Sequence, residues 1–214
     1  MSDKPVILVV EDQELLRDMM AQQLAKAGFD HILCADGQEA LDAVSKQKID
    51  LVLLDLYLPD KTGHEVLEAV RKDHSGIGLP VIMVTSEEDP EAVLRAFDLG
   101  ANDYVTKDIP FKITLRRIRT QLEMKKLAGE AARASEMKAL TAMIVTYCHQ
   151  INNPLTILQG NLGGDLSKVT PEKYERALKA LERIRELMIN IRDLDVRNIE
   201  YSKYSEKMTM LKIG

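Results

Sequence analysis

Polar residues follow four of the short apolar runs in this chain, and their types suit phosphoryl chemistry. Glu11-Asp12 follow Val6 to Val10, Asp55 follows Leu51 to Leu54, Thr85 closes Pro80 to Thr85, and Lys107 follows Asp103 to Thr106. Three carboxylates brought to one edge repel one another, a cost that a divalent cation relieves. An all-oxygen set suits Mg²⁺, which keeps several waters and accepts one or two carboxylates. A phosphoryl group arriving at Asp55 would find its charge neutralised by the metal, the Lys107 ammonium and the Thr85 hydroxyl. Each residue alone has a plainer reading, since Asp55 could cap a turn, Thr85 could end a strand and Lys107 is one of 29 bases. The set carries the argument.

Those residues work together only if the apolar runs are neighbouring strands. The first half alternates such runs with helical patterns: Glu14 to Ala27, Glu39 to Lys46, Glu65 to Lys72, Glu91 to Leu99 and Lys112 onward read as helices. Val6 to Val10, Ile32 to Cys34, Leu51 to Leu54, Pro80 to Thr85 and Asp103 to Thr106 read as strands. Five strands that each precede a helix imply βαβ units and a parallel sheet covered on both faces. In such a sheet, ligand chemistry lies beyond the carboxyl ends of the strands. The expected fold class is therefore α/β plus all-α, beginning with a five-stranded doubly wound domain.

The second half has no strand pattern. From Leu115 to Leu162 apolar residues recur every three or four positions (Met137, Leu140, Ile144, Tyr147, Ile151, Leu155, Leu158, Leu162), which makes one stripe along a long helix stopped by Gly163-Gly164. Thr170 is a candidate N-cap with Pro171 at the first helical position. Tyr174, Leu178, Leu181, Ile184, Met188, Ile191 and Leu194 make a second stripe. Two helices of about 25 residues with wide apolar faces cannot bury them against each other alone, so a homodimer completing a four-helix bundle is expected. Residues 120–136 are rich in helix formers and should join the halves as a continuous helix, with Gly129 its soft point. The expected organisation is 1–122, a helical linker 123–136, a hairpin 137–198 and a tail 199–214.

Composition narrows the partners. The chain has 214 residues, 45% hydrophobic and 29% charged, and its longest apolar run is far below the ~18 residues of a spanning helix. No membrane association is expected. Met1-Ser2-Asp3-Lys4-Pro5 lacks a basic leader, and Cys34 and Cys148 cannot form a disulfide framework, so a cytoplasmic location is expected. Residues 1–120 carry 22 acids against 14 bases, net −8, and residues 121–214 carry 12 against 15, net +3. The acidic first half, the interspersed charges of the second and 4% aromatic residues lead to an expectation of no nucleic-acid partner.

The order of acid pair, lone Asp, Thr and Lys at successive strand ends resembles the receiver domain of two-component response regulators, over residues 4 to about 122. Asp55-Leu-Tyr-Leu-Pro59-Asp-Lys-Thr-Gly63 is its most specific part. The resemblance implies that Asp55 is the phosphoacceptor and that Glu11, Asp12 and Asp55 hold Mg²⁺ with the Tyr57 backbone carbonyl. It also implies that Thr85 and Lys107 contact the phosphoryl group, and that Thr85 and Tyr104 form the switch. The chain departs from the family at Lys107-Asp108-Ile109-Pro110, where a Pro usually follows the Lys directly.

His149, in Tyr147-Cys148-His149-Gln150-Ile151-Asn152-Asn153-Pro154-Leu155, lies beside the apolar stripe of its helix. This stretch, with Leu181-Glu-Arg-Ile-Arg-Glu-Leu187, resembles the H-box and second helix of the dimerisation and histidine-phosphotransfer domain of sensor histidine kinases, over about 135–198. A neutral imidazole is nucleophilic at pH 7, and a phosphoramidate is a strong donor to a carboxylate. Pro154 should kink the helix one turn beyond His149. Where that family has an acidic base after the His, this chain has Gln150, and no Gly-rich ATP lid follows. A self-sufficient ATP-dependent kinase is therefore not expected.

The resulting expectation is a phosphorelay protein. Asp55 takes a phosphoryl group from an upstream sensor histidine kinase, and His149 serves as a second carrier toward a downstream receiver or phosphotransfer protein. Asn153, one turn past His149, could orient a water for dephosphorylation. Two alternatives stand beside it. One is a non-enzymatic regulator whose Asp55 phosphorylation switches a partner surface on the bundle; the other is a kinase fragment that borrows an ATP domain in trans.

Overall fold

Five short strands line up in one parallel sheet in a computed structural model of the chain, which describes residues 4–86, 90–163 and 169–192. In chain order the elements are β1 (Val6–Val10), α1 (Glu14–Lys26), β2 (Asp30–Cys34), α2 (Gly37–Lys46), β3 (Leu51–Leu54) and α3 (Gly63–Asp73), followed by β4 (Val81–Thr85), α4 (Pro90–Asp98), β5 (Asp103–Thr106), α5 (Phe111–Leu162) and α6 (Pro171–Arg192). The sheet order is β2-β1-β3-β4-β5, with every pairing parallel.

The period of two along each strand divides the core between the two sheet faces. Leu8, Val10, Val52, Leu54, Val81 and Met83 pack with Ala40 and Ala43 of α2, Val66, Leu67 and Val70 of α3, and Ala96 of α4. Ile7, Val9, Leu51, Leu53, Ile82, Val84 and Val105 pack with Met20 and Leu24 of α1 and Ile118 of α5. Strands apolar on both sides must be covered on both sides, and this doubly wound arrangement does so.

Turn and cap chemistry sets the element ends. Gly28 and Gly100 take φ of +89° and +93° in the left-handed turns that follow α1 and α4. A capping box starts α3: the Thr62 side chain accepts from the Glu65 N–H, and the Glu65 carboxylate accepts from the Thr62 N–H at 2.8 Å. Helix α2 begins two residues before the apolar pattern suggests, because the Asp36 carboxylate accepts from the Glu39 N–H at 2.7 Å and so carries the helix back to Gly37. Strand β2 likewise begins at Asp30, paired with Val6, although the apolar run begins at Ile32.

The chain divides into two compact units, Met1–Arg133 and Ala134–Gly214, and the division falls within residues 123–136. Helix α5 is continuous from Phe111 to Leu162 and includes Gly129 and Pro154. On α6, the Thr170 hydroxyl accepts from the Lys173 N–H at 3.4 Å, with Pro171 at the first helical position. The apolar positions of α6 fall on two adjoining faces. Ala177, Ala180 and Leu187 are buried, with Ile184 and Ile191 half-buried, whereas Tyr174, Leu178, Leu181 and Met188 are exposed. On α5, Pro154 is buried and Tyr147, Ile151 and Leu158 are half-buried, while Met137, Ile144 and Leu155 are exposed. The physical reason is the width of the pattern: at 100° per residue these apolar positions cover more surface than one contact uses. Leu194, the end of the expected hairpin at 198 and the tail 199–214 lie outside the described residues.

A polar contact links α3 to α4. The buried His64 ring holds the Ala92 carbonyl through Nε2 at 3.2 Å. Burial lowers the imidazole below its ordinary 6.5, Arg95 adds to the lowering, and the Ala92 hydrogen bond opposes both. The fold therefore favours the neutral ring, and its stabilisation is whole above 6.5 and lost as pH falls through the lowered folded-state value. Urea unfolding of wild type and His64→Asn from pH 8 to pH 4.5 should show the wild type losing stability relative to the variant only on the acid side. A difference independent of pH would refute this account.

Candidate functional site

The carboxyl edge of the sheet collects the polar residues that end β1, β3, β4 and β5. Because β1 and β3 are adjacent, Glu11-Asp12 and Asp55 emerge side by side, and the main chain holds them there: the Glu11 N–H donates to the Cys34 carbonyl at 3.1 Å and the Asp55 N–H to the Val10 carbonyl at 3.0 Å. One carboxylate oxygen from each of Glu11, Asp12 and Asp55 lies within 4.8 Å of the others. Glu11 and Asp55 are buried and Asp12 is exposed.

Lys107 closes this group. Its main-chain N–H donates to the Thr85 carbonyl at 2.9 Å, which turns the chain after β5 back toward β4. Its ammonium then lies 2.8 Å from Asp55 Oδ2 and 2.6 Å from Glu11 Oε2, with side-chain exposures of only 11%, 5% and 2% for Lys107, Asp55 and Glu11. Asp55 Oδ1 accepts from the Leu56 N–H at 2.7 Å. Burial pushes the Glu11 carboxyl above its ordinary value and Asp55 adds to this, while the Lys107 ammonium pulls the other way. Burial also works against the Lys107 charge, but hydrogen bonds to Asp55 and Glu11 outweigh it and hold the ammonium above the ordinary lysine value. The lysine thus stays charged at neutral pH.

The β3–α3 loop holds Asp55 from the other side. Tyr57 and Thr62 form an isolated antiparallel bridge, and the Gly63 N–H donates to the Leu56 carbonyl at 2.7 Å. Gly63 lies so close that a Cβ there would collide with the Asp55 carbonyl oxygen and sit 2.9 Å from the Leu56 Cα. Sequence reasoning missed Asp60, whose carboxylate accepts from the Gly37 and Gln38 N–H groups at 2.8 and 3.0 Å and ties this loop to the start of α2. No spacing signal marks a contact between residues 23 apart.

Thr85 is fully buried at the end of β4, between the strands that bring Asp55 and Lys107. Tyr104 is half-buried and packs against the α2–α4 side of the core, and the Tyr57 side chain is exposed. The structure therefore gathers Glu11, Asp12, Asp55 and Lys107 directly and sets Thr85 at the same edge. His149 and Asn153 belong to the second unit, where both are exposed on α5. Three close oxygen donors, two of them buried, fit a hard divalent cation, and Mg²⁺ suits the set better than a soft metal.

Residues 7–123 match the model of the response regulator receiver domain. The chain is 33% identical over 150 residues to the regulatory protein VanRB of Enterococcus faecalis, covering 70% of this chain and 67% of that one. It is 40% identical over 116 residues to the DNA-binding response regulator MtrA of Mycolicibacterium smegmatis, covering 54% of this chain and 50% of the relative, and so spans half of that protein's length. A crystal structure of a response regulator receiver domain protein (CheY-like) from Methanospirillum hungatei aligns with a TM-score of 0.56 at 28% identity, covering 59% of this chain and 99% of that one. The expectation of no nucleic-acid partner is corrected by the second of these relatives: MtrA is a DNA-binding response regulator. Net charge and the mixing of acids and bases along a helix average over many residues, whereas contact with a phosphate backbone needs only a local set of bases, so composition does not decide this partner.

The close approach at Gly63 gives a direct test of the loop. Gly63→Ala should destabilise the protein by about 1–3 kcal/mol through overpacking, because the colliding atoms belong to the main chain. Urea unfolding measures it, and a variant as stable as wild type would show that the Asp55 loop is not sterically fixed.

Proposed function

From the premise that this chain belongs to the response regulator receiver domain family and is a two-component response regulator, we propose that Asp55 accepts a phosphoryl group from the phosphohistidine of an upstream sensor kinase. The observation that carries this reading is the half-buried Lys107 ammonium held between Asp55 and Glu11. In the proposed step a carboxylate oxygen of Asp55 forms a bond to phosphorus as the donor's N–P bond breaks, and the departing imidazole takes a proton from solvent. The Leu56 N–H orients Asp55, Lys107 is placed to neutralise phosphoryl oxygens, and Thr85 is the hydroxyl that meets them. Glu11, Asp12, Asp55 and the Tyr57 carbonyl would hold Mg²⁺, which supplies charge neutralisation for the transferring group. Thr85 and Tyr104 are the proposed switch pair.

In this reading the receiver spans 1–122, the helical linker 123–136 and the hairpin 137–198. The exposed apolar faces of α5 and α6 support dimerisation of the hairpin as a four-helix bundle. The exposure of His149 supports its role as a second phosphoryl carrier, with Asn153 at i+4 a candidate for positioning water. A second reading, favoured by the name of the MtrA relatives, is an output onto DNA, distinguished by titrating duplex DNA before and after phosphorylation.

With Mg²⁺ and acetyl phosphate, mass spectrometry should find one added phosphoryl group on Asp55, lost in Asp55→Asn; labelling that persists on another carboxylate would overturn the assignment. With a phosphorylated receiver as donor, an acid-labile, base-stable species should appear and vanish in His149→Ala. If no donor produces it, His149 is no carrier.

Sedimentation at micromolar concentration should give a dimer. Ile144→Asp and Leu181→Asp, on the exposed faces, should give monomers; a wild type with the mass of one chain would remove the bundle.

A further inference from the structure

The β1–α1 loop must aim two carboxylates from adjacent residues, and its own chemistry does this poorly. Gln13, the residue before α1, makes no side-chain cap hydrogen bond, and its N–H instead donates to Glu11 Oε1 at 3.3 Å. Asp12 is exposed, so packing does not hold its side chain. Arg17, in the first turn of α1, supplies the missing restraint. Its Nη1 donates to the main-chain carbonyls of both Glu11 and Asp12, at 2.7 and 3.2 Å.

The choice of partners is informative. Arg17 stands among Asp12, Glu14 and Asp18 in sequence, yet among the described residues it forms no ion pair, and both of its side-chain hydrogen bonds go to the main chain. Two carbonyls on one half-buried guanidinium fix two successive peptide planes, and those planes set the direction in which the Glu11 and Asp12 side chains leave the backbone.

We propose that Arg17 is a positioning residue for the Mg²⁺ site, holding Glu11 and Asp12 in the orientation that binds the cation. The proposal rests on the reading of Glu11, Asp12 and Asp55 as the Mg²⁺ ligands. It has a competitor of opposite sign. A cationic side chain beside a cation site repels the metal, so if charge were its main effect, removing Arg17 would tighten Mg²⁺ binding. If it works by orienting ligands, removal weakens binding, and groups that orient metal ligands typically matter by roughly 10-fold or more in affinity.

Isothermal titration of the full chain with MgCl₂ separates the two. Arg17→Ala should bind Mg²⁺ roughly 10-fold more weakly than wild type, and Arg17→Lys, which keeps the charge without the planar fork, should fall between them. In an Asp12→Ala background the effect of Arg17→Ala should shrink, because one of the two ligands it orients is gone. Should Arg17→Ala fail to give a folded circular dichroism spectrum, Arg17→Lys and Arg17→Gln carry the same comparison. Affinity equal to or tighter than wild type in the folded variants overturns the proposal. So does a lowered melting temperature with unchanged affinity, which marks a purely structural role. If the wild type itself takes up no Mg²⁺, the ligand reading fails as well; if it binds and Arg17→Ala matches it, only the role of Arg17 fails.

Discussion

Electrostatic crowding at the carboxyl edge of the sheet is the constraint on which the rest of this molecule depends. Three carboxylates converge there and one half-buried ammonium stands against two of them. Carboxylates cannot be gathered in a half-desolvated place unless cations and main-chain N–H groups meet them, and removing one partner of such a pair leaves the other charge uncompensated. The fold meets the demand with parts from four strands. Glu11-Asp12 come after β1, Asp55 after β3, and Lys107 returns after β5 to hydrogen-bond the end of β4. The crowding is also the chemical capacity, because a cluster of oxygen donors that must be neutralised suits a hard divalent cation.

Such precision requires a sheet that does not yield. The strands are apolar on both faces, so α1 and the start of α5 cover one side while α2, α3 and α4 cover the other. The loops above this core are then fixed by short polar ties rather than by packing. Asp60 fastens the Asp55 loop to α2, the Thr62–Glu65 capping box sets the start of α3, and Arg17 grips the Glu11 and Asp12 carbonyls. Each tie ends on a main-chain group, which fixes the backbone and leaves the acidic side chains available.

The second unit follows a different logic. Its helices are amphipathic over more of their circumference than one neighbour can cover, so a buried face built on small residues, Ala177 and Ala180, adjoins an exposed face of Leu178, Leu181 and Met188. An apolar face exposed to water on a regular helix carries the ordinary hydrophobic cost. His149, on α5, is exposed.

Much of this was legible in the sequence because it is local or periodic. The alternation of apolar runs with helical patterns gave the five strands, their parallel pairing and the long final helices, and the residue types at the strand ends named Glu11, Asp12, Asp55, Thr85 and Lys107. Element boundaries such as the starts of β2 and α2 were missed by two residues, since pairing and side-chain caps, not apolar periodicity, set them. Contacts between residues far apart in the chain were not legible at all: Asp60 with the Gly37 and Gln38 N–H groups, Gly63 against the Asp55 carbonyl, and Lys107 between two particular carboxylates. Nor did helical periodicity say which apolar positions of α5 and α6 would be covered, because a repeat fixes an angle around the helix and not the neighbour it meets. The sequence by itself determined which groups reach the sheet edge, since strand period and residue type are properties of the chain. Only the tertiary structure decided which groups touch, because contact depends on strand order and on loops closing across space.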